Sequence, residues 1–540
     1  MKKLILTDRA NFADLLQLGG LYVDKTKEIY DCIGKGTYYF LSRPRRFGKS
    51  LLCSTLKEMF SGNRALFKGL WLDSSDWEWK KHPIIHLSMI DMAGEQNNAA
   101  DLVEKLFNQF KKIAEHYNVA LTKSLIVDLV FSNLVESLYK KTGFKVVIII
   151  DEYDKPILDL IDKQADQKEV HSVLRSFYGT FKALEVSLRF VFLTGVYKFS
   201  QTSVFSSLNN LTDLTFDPKA GSLLGYTQEE VESYFSNEID ALAAKEKLDR
   251  SSMLEKLRTN FNGYRFGVDA SSGELSPGVY NPFAMNHTFA ANQMLEKWFI
   301  SGSPSYLIKK IAAGCFEEIG PEGLEINFRT LTNSYGPDEI TALSLLYYAG
   351  YATMNLFTPG PNMVKLVYPN LEISQATSTE LINIFKTNKA SDLYRIAWRI
   401  ADCFRNHQFD ALKELFNQAL AQLTYQIIVS EEKYFQTVIL LLLQMGKLRA
   451  NAEIPTNDGR MDIVVETSGA IFIVEVKFNK PAADGLKQIK DKDYAKRFWA
   501  QGLPITAVGL SVGLGEKADA KNCIFDVVVE QLFNVIGLSR

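Results

Sequence analysis

The chain has 540 residues, an apolar fraction of 46% and 61 basic against 63 acidic side chains, for a net charge of −2. That length suits roughly two to four domains with sizeable cores. The near-neutral balance excludes a uniformly basic chain, so any grip on nucleic acid must come from a local patch.

The N-terminus, MKKLILTDRANFADLL, has too short an apolar run before Asp8 for a signal segment. No stretch approaches the roughly 18 apolar residues of a membrane span, so a cytoplasmic chain without a membrane partner is expected. Five scattered cysteines, Cys32, Cys53, Cys315, Cys403 and Cys523, lack zinc or secreted-type spacing and are expected as buried free thiols.

In chain order, TYYFL (37–41), PIIHLSM (83–89), VVIIID (146–151) and LRFVFLTG (188–195) are short apolar runs separated by helical patterns. Such runs predict an α/β domain over 1–220 with a parallel sheet covered on both faces. From 221 to 425 the spacing turns helical, as in TQEEVESYF and DEITALSLLYYAGY, which predicts a mostly helical middle region. From 426 to 540 a leucine-rich helix (EEKYFQTVILLLLQM) precedes two alternating runs, RMDIVVE and AIFIVEVKF, a small α/β domain built around a hairpin.

RPRRFGKS (43–50) follows the first apolar run and opens a helix. A P-loop needs a strand that stops, inward backbone N–H groups, a glycine close to the phosphates, a lysine for their charge and a hydroxyl on Mg²⁺. Gly48, Lys49 and Ser50 supply the last three, and Arg43, Pro44, Arg45, Arg46 and Phe47 form the rest of the candidate ATP cradle, with Arg43 standing where the motif has its first glycine. Alone this could be a basic loop before a helix. VVIIID then ends in Asp151 and Glu152, where a nucleotide-hydrolysing sheet keeps one carboxylate on magnesium and a second on the attacking water. Thr194, ending the fourth run, is the candidate sensor of the γ-phosphate.

In the C-terminal hairpin, Ser468-Gly469 is a candidate two-residue turn, with glycine suiting a primed type. That register sets Glu466 opposite Ile471 and Asp462 opposite Glu475, with Cβ atoms about 4.5–5.5 Å apart, and Lys477 on the same face as Glu475. Opposed like charges destabilise a sheet unless a divalent cation, Mg²⁺ or Mn²⁺, offsets them, and a neighbouring lysine can act on a water or a developing phosphoryl charge. The alternative is a solvent-facing mixed-charge hairpin. Between Lys477 and Arg497 seven basic residues (Lys477, Lys480, Lys487, Lys490, Lys492, Lys496, Arg497) face three acidic ones (Asp484, Asp491, Asp493), a candidate nucleic-acid surface or a solvated face.

RPRRFGKS, VVIIIDEYDKP, LTGVYKFS, GYRFG, YNPF, GRMDIVVE, FIVEVKFNK and YVDKT together resemble the bacterial AAA-ATPase-like proteins fused to a PD-(D/E)XK nuclease superfamily domain, a restriction-endonuclease-like α/β fold. In that family the P-loop commonly reads RPRRFGK[ST], so Arg43 is a family variant. The resemblance implies that Gly48, Lys49, Ser50, Asp151 and Glu152 serve an ATPase, and that Asp462, Glu475 and Lys477 form a D…ExK nuclease core. It also implies that Glu432 is the acid on the preceding helix and that Gln488 and Tyr494 match the Q…Y element, with looser spacing. The expected function is an ATP-driven or ATP-gated nuclease acting on DNA or RNA. The alternative is a nucleotide switch whose C-terminal domain binds nucleic acid or a protein without cutting. Whether chains form a homo-oligomer is left open.

Overall fold

The computed structural model describes residues 3–34, 36–92, 98–122, 124, 126–160, 164–198, 210–295, 319, 323–332, 341–384, 390–421, 432–456, 459–467, 469–514 and 523–533. The chain divides into two compact units, Met1–Leu307 with Glu325–Asn370 and Ile308–Leu324 with Leu371–Arg540. This cuts across the expected 221–425 region. The helices Ala390–Arg405 and Leu412–Ala421 belong to the second unit, where Phe404 meets Phe472 and Phe416 meets Phe525, each with ring centroids 5.2 Å apart.

In the first unit, β1 (Tyr38–Ser42), β2 (Ile84–Ser88), β3 (Val146–Asp151), β4 (Leu188–Gly195) and the two-residue β5 (Thr212–Asp213) form a parallel sheet in the order β2-β3-β4-β1-β5. All four apolar runs are strands, as expected. Every residue of β1 and β3 is buried, which requires helices on both faces. β1 lies beside β4, and β3 lies on the other side of β4, so the loops leaving β1, β3 and β4 converge at the carboxyl edge, where open α/β sheets place their ligands.

Beyond the sheet, the helix Gln228–Tyr234 starts in a reciprocal capping box between Thr227 and Glu230. It packs with the helices Ser236–Glu246, Arg250–Phe261 and Pro282–Ala291 around Phe235, Leu257 and Met285. To this helical region the structure adds a three-stranded sheet, β6 (Leu324–Asn327), β8 (Met363–Val367) and β7 (Thr353–Thr358), in the order β6-β8-β7. The β7–β8 strands turn at Pro359–Asn362, where Asn362 takes a φ of 55°.

The second unit carries a five-stranded sheet of β9 (Arg449–Thr456), β10 (Gly459–Glu466), β11 (Ile471–Phe478), β12 (Ile505–Leu514) and β13 (Cys523–Phe533), in the order β13-β12-β11-β10-β9. Only β11 and β12 are parallel, and the helices Ala482–Asp491 and Tyr494–Gln501 make their crossover. Leu486, Ile489, Tyr494 and Phe498 anchor the crossover on the sheet, each worth about 1.5–3 kcal/mol if wholly buried. The crossover lies close because Gly509 has no side chain: a Cβ there would stand 2.2 Å from the Ala482 carbonyl oxygen.

Cys53 and Cys403 are buried free thiols, Cys32 is free and half-buried, and Cys315 lies outside the described residues. No helix among the described residues is long and apolar enough to cross a membrane.

Candidate functional site

The loop from β1 to the helix Lys49–Phe60 turns through two left-handed residues, Arg46 at φ 67° and Gly48 at φ 96°. The second falls on glycine, which takes that conformation without a Cβ clash. The helix N-terminus directs its free N–H groups toward the loop, as anion binding requires. Lys49 is buried, its Nζ donates to the carbonyls of Arg43 (3.1 Å) and Pro44 (3.0 Å), and burial lowers its pKa.

Arg43 does not face the cradle. Its guanidinium is buried and donates to the carbonyls of Ser42, Thr215 and Ala220, each at 2.8 Å, while stacking 4.4 Å from the Phe266 ring centroid. This corrects the expectation that its side chain binds nucleotide: it ties the loop to the segment after β5. Phe47 is likewise buried, edge-on to Tyr264 (4.8 Å) and Phe266 (5.2 Å), and Arg46 lies over Phe283 (4.8 Å). GYRFG and YNPF therefore buttress the P-loop from outside the sheet. Arg43→Gly, which restores the usual motif, should cost about 3–5 kcal/mol by leaving buried carbonyls unpaired and a space behind the loop. A thermal melt matching wild type would refute that anchor.

At the end of β3, Asp151 is buried, one carboxylate oxygen (Oδ1) has no partner, and the Ser50 hydroxyl bonds to the carboxylate. Burial raises its pKa, while Ser50 and the nearby Lys49 oppose the rise. An orphaned buried oxygen beside a hydroxyl is a donor set suited to Mg²⁺. Glu152 follows at φ 52°, a sparsely populated conformation for a side-chain-bearing residue and one found at functional sites.

Thr194 does not point at a phosphate either. Its hydroxyl is buried in the sheet and donates to the Leu41 carbonyl (2.8 Å), because β4 pairs Thr194 with Leu41. Asp154, which sequence reasoning missed, accepts from the Val196 (3.0 Å) and Tyr197 (2.8 Å) amides and so joins the exits of β3 and β4. Burial pushes its pKa up to about 6. A pocket also opens beside Gly48 and Leu52, walled by Leu6, Tyr22 and Lys25 from the N-terminal segment and by Tyr226 and Asn286 from the helical region. Lys25 spans its edge, paired with Glu230 at 2.6 Å and donating to the Ser222 carbonyl at 2.9 Å. YVDKT was the only sequence signal for this wall.

In the second unit, β10 and β11 pair Ile463 with Val474 and Glu466 with Ile471, the register expected. Gly469 does not use the left-handed region, and Ser468 lies outside the described residues. The Thr467 hydroxyl holds the turn instead, accepting from the Ala470 amide at 3.0 Å. One step beyond Ile463 the carboxylates bond to backbone: Asp462 Oδ2 accepts from Val476 N (2.7 Å) and Glu475 Oε2 from Asp462 N (3.4 Å).

The sheet thus brings Asp462, fully buried Glu475 and Lys477 together. Lys477 Nζ lies 3.2 Å from Glu475 Oε1 and 3.9 Å from Asp462 Oδ2. Burial raises the pKa of both acids, and Asp462 raises Glu475 further while Lys477 opposes the rise. Glu432 joins them, Oε2 accepting from Phe478 N (3.2 Å), and the Gln488 amide donates to Glu475. Tyr494 reaches the Arg460 carbonyl (2.7 Å). Gln436, one helical turn after Glu432, bonds to Asp462 and had no distinguishing sequence signal.

Among the described residues no three His, Cys, Asp or Glu side chains converge as a metal site, so a cation here would rest on Asp462 and Glu475. These hard oxygens suit Mg²⁺ or Mn²⁺. Of the basic stretch, Lys477 is buried in the site and Lys490 is paired with Glu530 at 2.6 Å.

The AAA-ATPase-like family, described as "Predicted AAA-ATPase", matches residues 9–205, and the PD-(D/E)XK nuclease superfamily matches residues 430–517. A protein of Azotobacter chroococcum mcd 1, described as an uncharacterized protein in the vnfD 5′ region, is 32% identical over 501 residues, covering 91% of this chain and 92% of its own. Among solved structures, Aeropyrum pernix ORC1 in complex with DNA is 15% identical over 64% of this chain and 87% of its own, with a TM-score of 0.21. Cdc6p of Pyrobaculum aerophilum is 8% identical over 66% and 92%, with a TM-score of 0.20. With both domains in one chain and a relative matched nearly end to end, this chain belongs to the family of AAA-ATPase-like proteins carrying a C-terminal PD-(D/E)XK nuclease superfamily domain.

Proposed function

We propose that the chain hydrolyses ATP at the P-loop and that its second unit cuts nucleic-acid phosphodiesters with a divalent cation. The convergence of Asp462, Glu475 and Lys477 with Glu432 and Gln488 supports the nuclease reading most strongly. It costs a folded protein much to bury two acids with raised pKa values, and such sites are enriched in function.

In the ATPase, Lys49 leaves the loop carbonyls for the phosphates, and the N–H groups from Gly48 onward cradle them. Ser50 and Asp151 hold Mg²⁺, which would neutralise phosphate charge. Glu152 orients the attacking water and takes its proton. The pocket beside Gly48 and Leu52, walled in part by Tyr226 and Asn286, receives the base. In the nuclease, Asp462 and Glu475 hold the cation, which would make bound water more acidic and screen the phosphodiester. Lys477 stabilises charge developing on the phosphoryl oxygens, Glu432 fixes the end of β11, and Gln488 fixes the Glu475 carboxylate.

The test is cleavage of end-labelled DNA and RNA by the full chain with Mg²⁺ or Mn²⁺, with and without ATP. Metal-dependent products lost with EDTA are expected. ATP hydrolysis and metal-independent nucleic-acid binding without products would favour the nucleotide switch.

A further inference from the structure

Three tryptophans among the described residues expose at least about a third of their surface: Trp71 at 36%, Trp398 at 40% and Trp499 at 48%. Two have partners in the fold. Trp71 packs edge-on to Tyr30 at 5.3 Å, and Trp398 lies under Arg405 at 4.8 Å. Trp499, the most exposed, has neither a ring nor a cation against it among the described residues.

Trp499 sits on the 3₁₀ helix Tyr494–Gln501, sequence YAKRFWAQ, which has two cations and no acid. In a 3₁₀ helix residues three apart eclipse one another, so Lys496 and Trp499 share one edge. Lys496 is exposed, as is Lys487 on the preceding helix. Tyr494, Ala495 and Phe498 are buried in the core and hold this helix in place. The same crossover reaches the carboxylates: Gln488, next to Lys487, donates to Glu475, and the Tyr494 hydroxyl donates to the carbonyl of Arg460, two residues before Asp462.

We infer that this edge is a stacking platform for an unpaired nucleic-acid strand, with one base on Trp499 and neighbouring phosphates on Lys496 and Lys487. The inference rests on the nuclease reading above and adds to it the class of substrate: a single strand or a frayed end. An aromatic ring can stack only on a base freed from its duplex neighbours, whereas cations alone would accept duplex and single strand alike. Charge complementarity makes a nucleic acid, and not an apolar protein segment, the occupant.

The test is fluorescence anisotropy of the full chain with labelled dT20, U20 and a 20-base-pair duplex, in EDTA so that nothing is cut. Trp499→Ala should weaken binding of at least one single strand about 5- to 100-fold. The slope of log K against log salt should stay unchanged, because the ring carries no charge. Trp499→Phe should recover most of the loss, which excludes misfolding. Lys487→Glu with Lys496→Glu should reduce that slope by about 0.7 per lost contact. Trp499→Ala within twofold of wild type on both strands, or an equal loss on duplex, overturns the platform. Because no cleavage is read, intact stacking without products in the separate cleavage assay would sink the nuclease reading alone.

Discussion

Lys49→Ala is expected to reduce ATP turnover by at least about 10²-fold, the scale of losing one charged group aimed at a phosphoryl transition state. Its position explains why. Buried Lys49 holds the Arg43 and Pro44 carbonyls, so its ammonium already lies within the loop that would wrap the phosphates. The burial that lowers its pKa also leaves the charge unscreened by water. Glu152→Gln should behave differently. The residue follows Asp151, the proposed magnesium ligand, in strained backbone, so the amide variant should still bind ATP while losing most hydrolysis, through loss of a proton acceptor. Equilibrium binding of a fluorescent ATP analogue and phosphate release separate the two effects. Wild-type turnover in both variants would move the ATPase site away from this loop.

The sequence made the strands legible because a buried parallel strand has to be apolar throughout, and VVIIID or LRFVFLTG could hardly be anything else. It also carried the hairpin register through the spacing of the turn between Thr467 and Ala470, since Ile463, Val464 and Val465 are all buried and the apolar pattern alone would fit either face. What stayed illegible was the direction in which side chains leave those elements. RPRRFGKS places Arg43 in a phosphate loop by position alone, yet its guanidinium needs the carbonyls of Thr215 and Ala220, over 170 residues away. Thr194 looked like a sensor because it ends a strand, and pairing with β1 gave its hydroxyl to Leu41. Gln436 is one polar residue in a leucine-rich helix, and only the fold brings it to Asp462.

The carboxylate pair differs from the sequence expectation in one physical respect. Opposed acids were expected to need a cation, and in the structure the Lys477 ammonium already lies near both. Burial nonetheless keeps both pKa values raised, with Lys477 opposing the rise. A carboxyl with a raised folded pKa supports stability below its unfolded pKa, about 4, and that support is lost as pH rises through the folded value. Without metal, the second unit should therefore weaken as pH climbs from the ordinary carboxylate range toward neutrality, and Mn²⁺ should raise its melting temperature more at pH 8 than at pH 5.

Asp462→Ala and Glu475→Ala are each expected to lose Mn²⁺ binding together with cleavage, whereas Lys477→Ala should bind Mn²⁺ at least as tightly as wild type and still cut at least about 10²-fold more slowly. The two acids would supply different strands' share of one oxygen shell, Asp462 from β10 and Glu475 from β11, and neither alone would hold a hard divalent cation well. Lys477 supplies no oxygen. Its ammonium, 3.2 Å from Glu475, would compete with a metal for that carboxylate, so truncating it would free a ligand while removing the charge that would stabilise the developing phosphoryl anion. Calorimetric Mn²⁺ titration and a cleavage assay on all three variants give two readouts that a merely structural lysine could not separate. Lys477→Ala losing the metal would make Lys477 a support of the carboxylates and not an actor on the substrate. A wild type that neither binds Mn²⁺ nor cuts DNA or RNA, with or without ATP, would remove the nuclease and leave a nucleotide switch whose second unit only binds.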